Sequence, residues 1–330
     1  MQITTTGYDF NRYLKTLYDE TSRRMRFRGQ TPEEFRDWEI AARARVIELL
    51  SIDHLPIATP SMHVLDETDN DSYKVQRIAY QTLPDLWVPA YLLTPTTAVQ
   101  PLPTLLCPPG HGGGINQVMN EDGIYHKYPH RFAEAGFVVL VPEHISFGER
   151  ANPEPRYRGC SFEHEVLNLL GSTVIGYRLW ELQRALDLLE TLPQVDSNRI
   201  GCAGLSLGGE MTLYLAACDR RIRVACIACF LTSFKGTFLK EPHCTCGYVP
   251  QMVRDFEHVY LASLIAPQPL MMQAGKQDGS FLVEDAQRSY EELIELYGML
   301  SAGERIALDV FEGGHEFDLA PALDWFQQWL

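Results

Sequence analysis

Residues 199–218, RIGCAGLSLGGEMTLYLAAC, set one serine, Ser206, among four glycines between an apolar run and a helix-like run. Three chemistries use glycine in this way. A phosphate-binding loop needs G-x-x-x-x-G followed by lysine and then serine or threonine. Gly204 and Gly209 have that spacing, but Glu210 stands in the lysine position, where a carboxylate repels phosphate. A dinucleotide fingerprint needs G-x-G-x-x-G, and the best candidate, opened by Gly110, ends on Ile115. The third pattern, G-x-S-x-G, is met by Gly204-Leu205-Ser206-Leu207-Gly208 between a strand pattern and a helix pattern, the context of a nucleophile elbow. A serine at the apex of so tight a turn takes a strained backbone, and side chains two positions away would strike the neighbouring strand and helix. The helix start behind Ser206 also offers free N–H groups and a positive dipole end to a developing oxyanion. A close-packed glycine turn without chemistry has the same local pattern, so the partners of Ser206 decide the matter.

A serine hydroxyl is a weak nucleophile without a base, and the elbow arrangement expects Asp or Glu and then His downstream. Only His243, His258 and His315 follow Ser206. His315 lies in FEGGHEF, after the last strand pattern and before the last helix pattern, with two glycines that let the loop reach back. Asp278, in QAGKQDGSF, lies just past a strand pattern, where its carboxylate can accept the second imidazole N–H and fix the tautomer. Glu284 and Asp285 are rivals, but they fall inside the following helix pattern. The oxyanion needs two backbone amides: Leu207, directly after the serine, and one from the loop CPPGHGGG, with Gly112 the first choice and Gly113 the next.

Metal chemistry is weighed against this set. HEFDL has Leu319, and HEVLN has Asn168, where H-E-x-x-H needs its second histidine. His243, Cys244 and Cys246 with Cys226 and Cys229 have zinc-like spacings, but Cys226 and Cys229 sit in a buried-strand pattern that would not aim both thiols at one ion. The expectation is therefore no metal and no cofactor, with HCTCGYVP, including His243 and Tyr248, lining a pocket. His111 in the glycine loop, and Glu143 and His144 after the FVVLV run, are further pocket candidates. A structural role, with Glu143 pairing Arg150 or Arg178, is the favoured alternative for Glu143.

These residues need a frame. Compact apolar runs at 104–109, 137–142, 199–204, 224–230, 269–275 and 305–311 alternate with helix patterns near 124–135, 165–191, 207–217, 281–298 and from 319 onward. Strands apolar along their whole length, alternating with helices, predict an α/β fold with a mostly parallel twisted sheet covered by helices on both faces. Residues 60–95 alternate over short segments and predict antiparallel strands at the N-terminal edge. Before them, Thr31, Pro32 and Glu34 form a capping box ahead of a stripe of Phe35, Trp38, Ala42, Val46 and Leu49. Residues 1–55 thus read as an N-terminal helical extension, for packing or homo-oligomerisation, and 56–330 as the catalytic domain. Two stretches, 147–164 and 231–260, are long for such a sheet, and long loops in compact domains are often functional.

With 28 Lys and Arg against 43 Asp and Glu, the net charge of −15 disfavours nucleic acid and anionic membranes and suits a small, weakly polar substrate. No basic-then-apolar leader opens the sequence, and several cysteines sit in apolar runs, so a reducing, cytoplasmic setting is expected.

From about residue 85 onward, CPPGHGGG, VPEHISFGER, GYRLWELQRALDLLETLPQVDSNRIGCAGLSLGGE, IAPQPLMMQAGKQD and GGHEF resemble the α/β-hydrolase superfamily, in particular its dienelactone-hydrolase-like and acetyl-xylan-esterase-like members. The resemblance implies an α/β-hydrolase fold and a Ser206, Asp278 and His315 triad that hydrolyses esters through an acyl-enzyme, without cofactor or metal. Dienelactone hydrolases proper carry cysteine at the elbow and haloalkane dehalogenases carry aspartate, whereas this chain carries serine. The expected activity is that of a serine carboxylesterase on short acyl esters, including acetyl esters of carbohydrates. The alternatives are the same triad acting on amides or peptides, and a non-catalytic binding protein on the same fold.

Overall fold

The computed structural model describes residues 8–96, 101–120 and 123–330. Helices α1 (Phe10–Glu20) and α2 (Pro32–Leu50) precede the antiparallel strands β1 (Met62–Asp69), β2 (Tyr73–Leu83) and β3 (Leu86–Pro95). Then come β4 (Leu102–Leu106), α3 (Ile115–Asn120), α4 (Tyr128–Glu134), β5 (Val138–Pro142), α5 (Ser161–Leu169), α6 (Val174–Leu189), β6 (Val195–Leu205) and α7 (Leu207–Cys218). The C-terminal part holds β7 (Ile222–Ala228), α8 (Met252–Asp255), α9 (His258–Ser263), β8 (Leu270–Gly275), α10 (Val283–Met299), β9 (Ile306–Phe311) and α11 (Leu319–Trp329).

The strands form one sheet in the order β1-β2-β3-β5-β4-β6-β7-β8-β9. The pairs from β1 to β5 are antiparallel, and those from β5 through β4 to β9 are parallel. The expected class and the antiparallel edge are both present. Side-chain alternation divides the sheet between two apolar layers. Leu106, Leu140, Cys202 and Ile227 face one core, which α2, α6, α7 and α10 help to build. Leu105, Val139, Ala203 and Cys226 face the other, with α4 and α11. A strand buried on both faces cannot show a polar alternation, which is why these runs read as continuously apolar.

The helix expected over 165–191 is two helices. Gly171 takes φ +78° after α5, and the Thr173 hydroxyl caps α6 by accepting from Gly176 N at 2.9 Å. At the N-terminus the capping box is present: Thr31 Oγ1 accepts from Glu34 N at 3.2 Å, and Glu34 Oε2 accepts from Thr31 N at 3.1 Å. Phe35, Ala42, Val46, Leu49 and Leu50 of α2 then join the core beside α6 and α7.

Phe326 of α11 is fully buried, edge-on to Phe132 at 5.6 Å and Phe137 at 6.5 Å. Phe326→Ala should lower unfolding stability by about 3–5 kcal/mol in urea titration. A loss below about 1 kcal/mol would contradict this packing.

Candidate active site

Ser206 joins β6 to α7 with φ +62° and ψ −122°, a backbone that L side chains rarely adopt. Its N–H donates to Ala228 O of the neighbouring strand at 3.0 Å, and its carbonyl accepts from Glu210 N at 2.8 Å. The flanking glycines are required sterically. A Cβ on Gly204 would run into the backbone of Gly208, and one on Gly208 would run into the carbonyl of Pro108. Leu207 opens α7, so its amide lies in the first helical turn, where N–H groups lack intrahelical acceptors.

Asp278 and His315, the expected acid and base, arrive from two further strand ends. Asp278 follows β8 and His315 follows β9, and His315 Nδ1–H donates to Asp278 Oδ2 at 2.7 Å. The other carboxylate oxygen of Asp278 accepts from Ser280 N at 2.9 Å and Phe281 N at 3.0 Å. Burial works to raise the Asp278 carboxyl, but the His315 bond and these two amides outweigh it and hold the group below the ordinary carboxylate range. The ring of Phe281 stacks on His315 at 5.3 Å. Ser206 and His315 line one cavity of about 450 Å³, together with Leu207, Glu210, Phe230 and Phe281. The rivals Glu284 and Asp285 lie in α10, where Asp285 pairs with Arg288.

One supporting residue escaped the sequence reading. Cys229, just past β7 at φ +46°, directs its thiol to Glu316 O at 3.5 Å and so braces the His315 loop. Its sequence signal was that of an ordinary buried strand cysteine.

In the glycine loop, Gly112 has φ +114° and open space beside its Cα. Gly113 is less suited to hold an oxyanion than expected, because its N–H already donates to Gln117 Oε1 at 3.2 Å. Glu143 and His144 are buried beneath this loop rather than on the cavity wall. Both oxygens of Glu143 accept from Ile115 N at 3.2 Å, and one also accepts from His144 N at 3.2 Å. Glu143 is thus a prop for the loop. Burial pushes its carboxyl up to about 7 against the pull of those amides. The expected side-chain pairing of Glu143 with Arg150 does not form: the Arg150 guanidinium takes Glu181 at 2.6 and 2.7 Å and donates only to the Glu143 backbone carbonyl, at 3.1 Å. Arg178 donates to Ile145 O and Cys246 Sγ instead.

His111 and His243 line the cavity, whereas Tyr248 stands edge-on to Phe238 at 5.0 Å, outside the lining. Cys226 and Cys229 are separate from the Cys244 and Cys246 pair, so the five-residue zinc set weighed from spacing is not assembled. A different quartet is: His111, Cys160, Cys244 and Cys246 converge with their ligand atoms within 4.8 Å of one another. Only the Cys244-x-Cys246 spacing was visible in sequence, because Cys160 and His111 come from distant loops.

The sequence pattern of the Abhydrolase family matches residues 10–294, and the chain belongs to that family. The chain is 28% identical over 295 residues to YtaP of Bacillus subtilis (strain 168), a protein named as a hydrolase, and the match covers 84% of this chain and 94% of that protein. Among solved structures it is similar to a Bacteroides fragilis protein titled an acetyl xylan esterase, with TM-score 0.76, 18% identity, and coverage of 94% of this chain and 83% of that one. It is also similar to the structure titled Methylesterase BT1017, with TM-score 0.71, 21% identity, and coverage of 97% and 66%. The fold is that of the α/β hydrolases. Among the described residues, no helix is long and apolar enough to cross a membrane.

Glu143 supplies a pH-dependent test. A carboxyl whose folded pKa is raised holds more protons folded than unfolded, so its contribution to stability declines as pH rises from the unfolded value toward about 7. Measured against Glu143→Gln, the wild type should lose on the order of 3 kcal/mol of relative stability between about pH 4.5 and pH 8, by denaturant titration at each pH. A stability difference independent of pH would contradict the raised carboxyl.

Proposed function

We propose that the protein is a serine carboxylesterase acting on short acyl esters, acetyl esters of carbohydrates among them. The observation that carries this reading is the 2.7 Å bond from His315 to a buried Asp278, with His315 on the same cavity as a serine held at φ +62°. In this mechanism the Ser206 hydroxyl attacks the ester carbonyl while His315 Nε2 takes its proton. Asp278 keeps the opposite nitrogen protonated and stabilises the imidazolium that forms. The amides of Leu207 and Gly112 receive the oxyanion. His315 then gives its proton to the leaving alcohol, and water, activated by the same base, releases the acyl group from Ser206.

The substrate class rests on size, polarity and likeness. A cavity of about 450 Å³ lies in the range of small-molecule sites, and it offers Phe230 and Phe281 to an acyl group with His243 and Glu241 for hydroxyls. The names acetyl xylan esterase and methylesterase on similar structures point the same way. The net charge of −15 disfavours polyanionic partners.

Hydrolysis of p-nitrophenyl acetate should exceed that of longer acyl esters, and aminoacyl anilides should be cleaved poorly; cleavage confined to the anilides would sink the ester reading in favour of an amidase. Asp278→Asn should lower kcat by about 10⁴-fold with little change in KM, the scale seen when the orienting aspartate of a protease triad is replaced. Ser206→Ala should abolish both turnover and labelling by an organophosphonate. A Ser206→Ala protein with full activity would remove Ser206 from the reaction.

A further inference from the structure

The fold brings together three thiols and an imidazole that ester hydrolysis does not use. His111 belongs to the glycine loop after β4, Cys160 stands at the start of α5, and Cys244 and Cys246 lie in a short turn within the 231–260 loop. His111 Nε2 is 2.9 Å from Cys244 Sγ and 3.5 Å from Cys160 Sγ, and the two sulfurs of Cys244 and Cys246 are 3.3 Å apart. All four ligand atoms lie within 4.8 Å of one another. A tetrahedral zinc with Zn–S near 2.3 Å and Zn–N near 2.0 Å sets its ligand atoms roughly 3.5–3.8 Å apart, so the four atoms need shift only slightly to surround one ion.

We propose that His111, Cys160, Cys244 and Cys246 form a structural Cys₃His zinc site in the wall of the active-site cavity. The donor set suits this metal: three soft thiolates and one imidazole select zinc over magnesium or calcium, and four protein ligands leave no open position for a reacting water. Charge supports it as well. Three thiolates and a neutral imidazole around Zn²⁺ carry a net charge of −1, and the fully buried guanidinium of Arg178 donates to Cys246 Sγ at 3.2 Å. This bond sets the positive charge of Arg178 beside the cluster. On loading, the three thiols release their protons to solvent and the sulfurs and imidazole nitrogen bond the ion.

The placement gives the ion a task. It would tie the loop that carries Gly112 to both long loops, 147–164 and 231–260, at the point where His111, Cys244 and Cys246 also line the cavity. Thr245 already bonds Ser161 across the same junction, at 3.2 Å. The four ligands come from three distant segments, so only the folded chain assembles them, and binding stabilises the native state. A disulfide between Cys244 and Cys246 is the competing use of two of these thiols, and it would leave Cys160 and His111 without a part.

The test is metal analysis of the full chain, expressed with zinc in the medium and dialysed. One zinc per chain is expected, retained in Ser206→Ala and in Cys218→Ser, whose thiol lies outside the cluster, and lost in Cys160→Ala. Because Ser206→Ala keeps its zinc, failure of the esterase reading and failure of the zinc site are told apart. Cobalt(II) added to chelator-treated wild type should give thiolate charge-transfer absorption and the strong visible bands of a tetrahedral site, which requires no variant to fold. Zinc, but not magnesium, should restore the thermal midpoint lowered by chelation. Absence of stoichiometric zinc together with no cobalt spectrum would overturn the proposal, as would six rather than eight titratable thiols in the unfolded, chelated protein.

Discussion

The architecture of the site depends on one crossing of backbones, where β6 turns into α7 with no room for a side chain at Gly204 or Gly208. The chain there packs against the Pro108 carbonyl, just past the end of the neighbouring strand, so the Ser206 turn and the glycine loop are set by the same contact. Strain at Ser206 persists because β7 takes its amide and α7 takes its carbonyl, which over-determines the conformation. The serine hydroxyl is thereby presented above the sheet next to a helix N-terminus, and the remaining groups need only reach that one point.

They reach it because the strand order places them there. β4, β6, β8 and β9 run parallel, so their C-terminal ends lie on one edge of the sheet and send out the glycine loop, Ser206, Asp278 and His315 in turn. At the glycine loop the strand order reverses between β5, β4 and β6, the place where open α/β sheets form crevices. Glu143, one strand away, fills the space under that loop with a carboxylate instead of an apolar group. Its two oxygens receive an otherwise unpaired amide, Ile115 N, at the cost of desolvating the carboxylate.

Much of this was legible in sequence for a physical reason. The elbow is a local pattern, and a parallel strand followed by a loop leaves a readable boundary, so Ser206, Asp278 and His315 could each be found from a pentapeptide, a strand end and a pair of glycines. What escaped was set by tertiary proximity. Glu143 has the structural role that its position after a strand suggested, but its partner is the Ile115 amide and not a guanidinium, which spacing does not reveal. The amide of Gly113 is engaged by Gln117, four residues on, which spacing does not reveal. The break at 170–173 was hidden because leucines continue on both sides of Gly171, and periodicity does not register the one residue at positive φ. The meeting of Cys160 and His111 with Cys244 and Cys246 has no sequence signal beyond the C-x-C pair.

The N-terminal helices are tied to the same region. Asp255, almost fully buried at the end of α8, is paired with Arg24 and with Arg45 of α2, the latter at 2.8 Å, and Met25 N donates to Asp255 O at 2.8 Å. Tyr18 of α1 gives its hydroxyl to Glu257 at 2.5 Å, and Glu257 in turn accepts from Phe234 N at 2.7 Å. A buried carboxylate held by two guanidinium groups is costly to leave unpaired, so the extension and the 231–260 loop stay joined. That loop supplies His243, Cys244 and Cys246 to the cavity wall. The first 55 residues, which include none of Ser206, Asp278 and His315, therefore bear on that cavity by fixing the segment that closes one side of it.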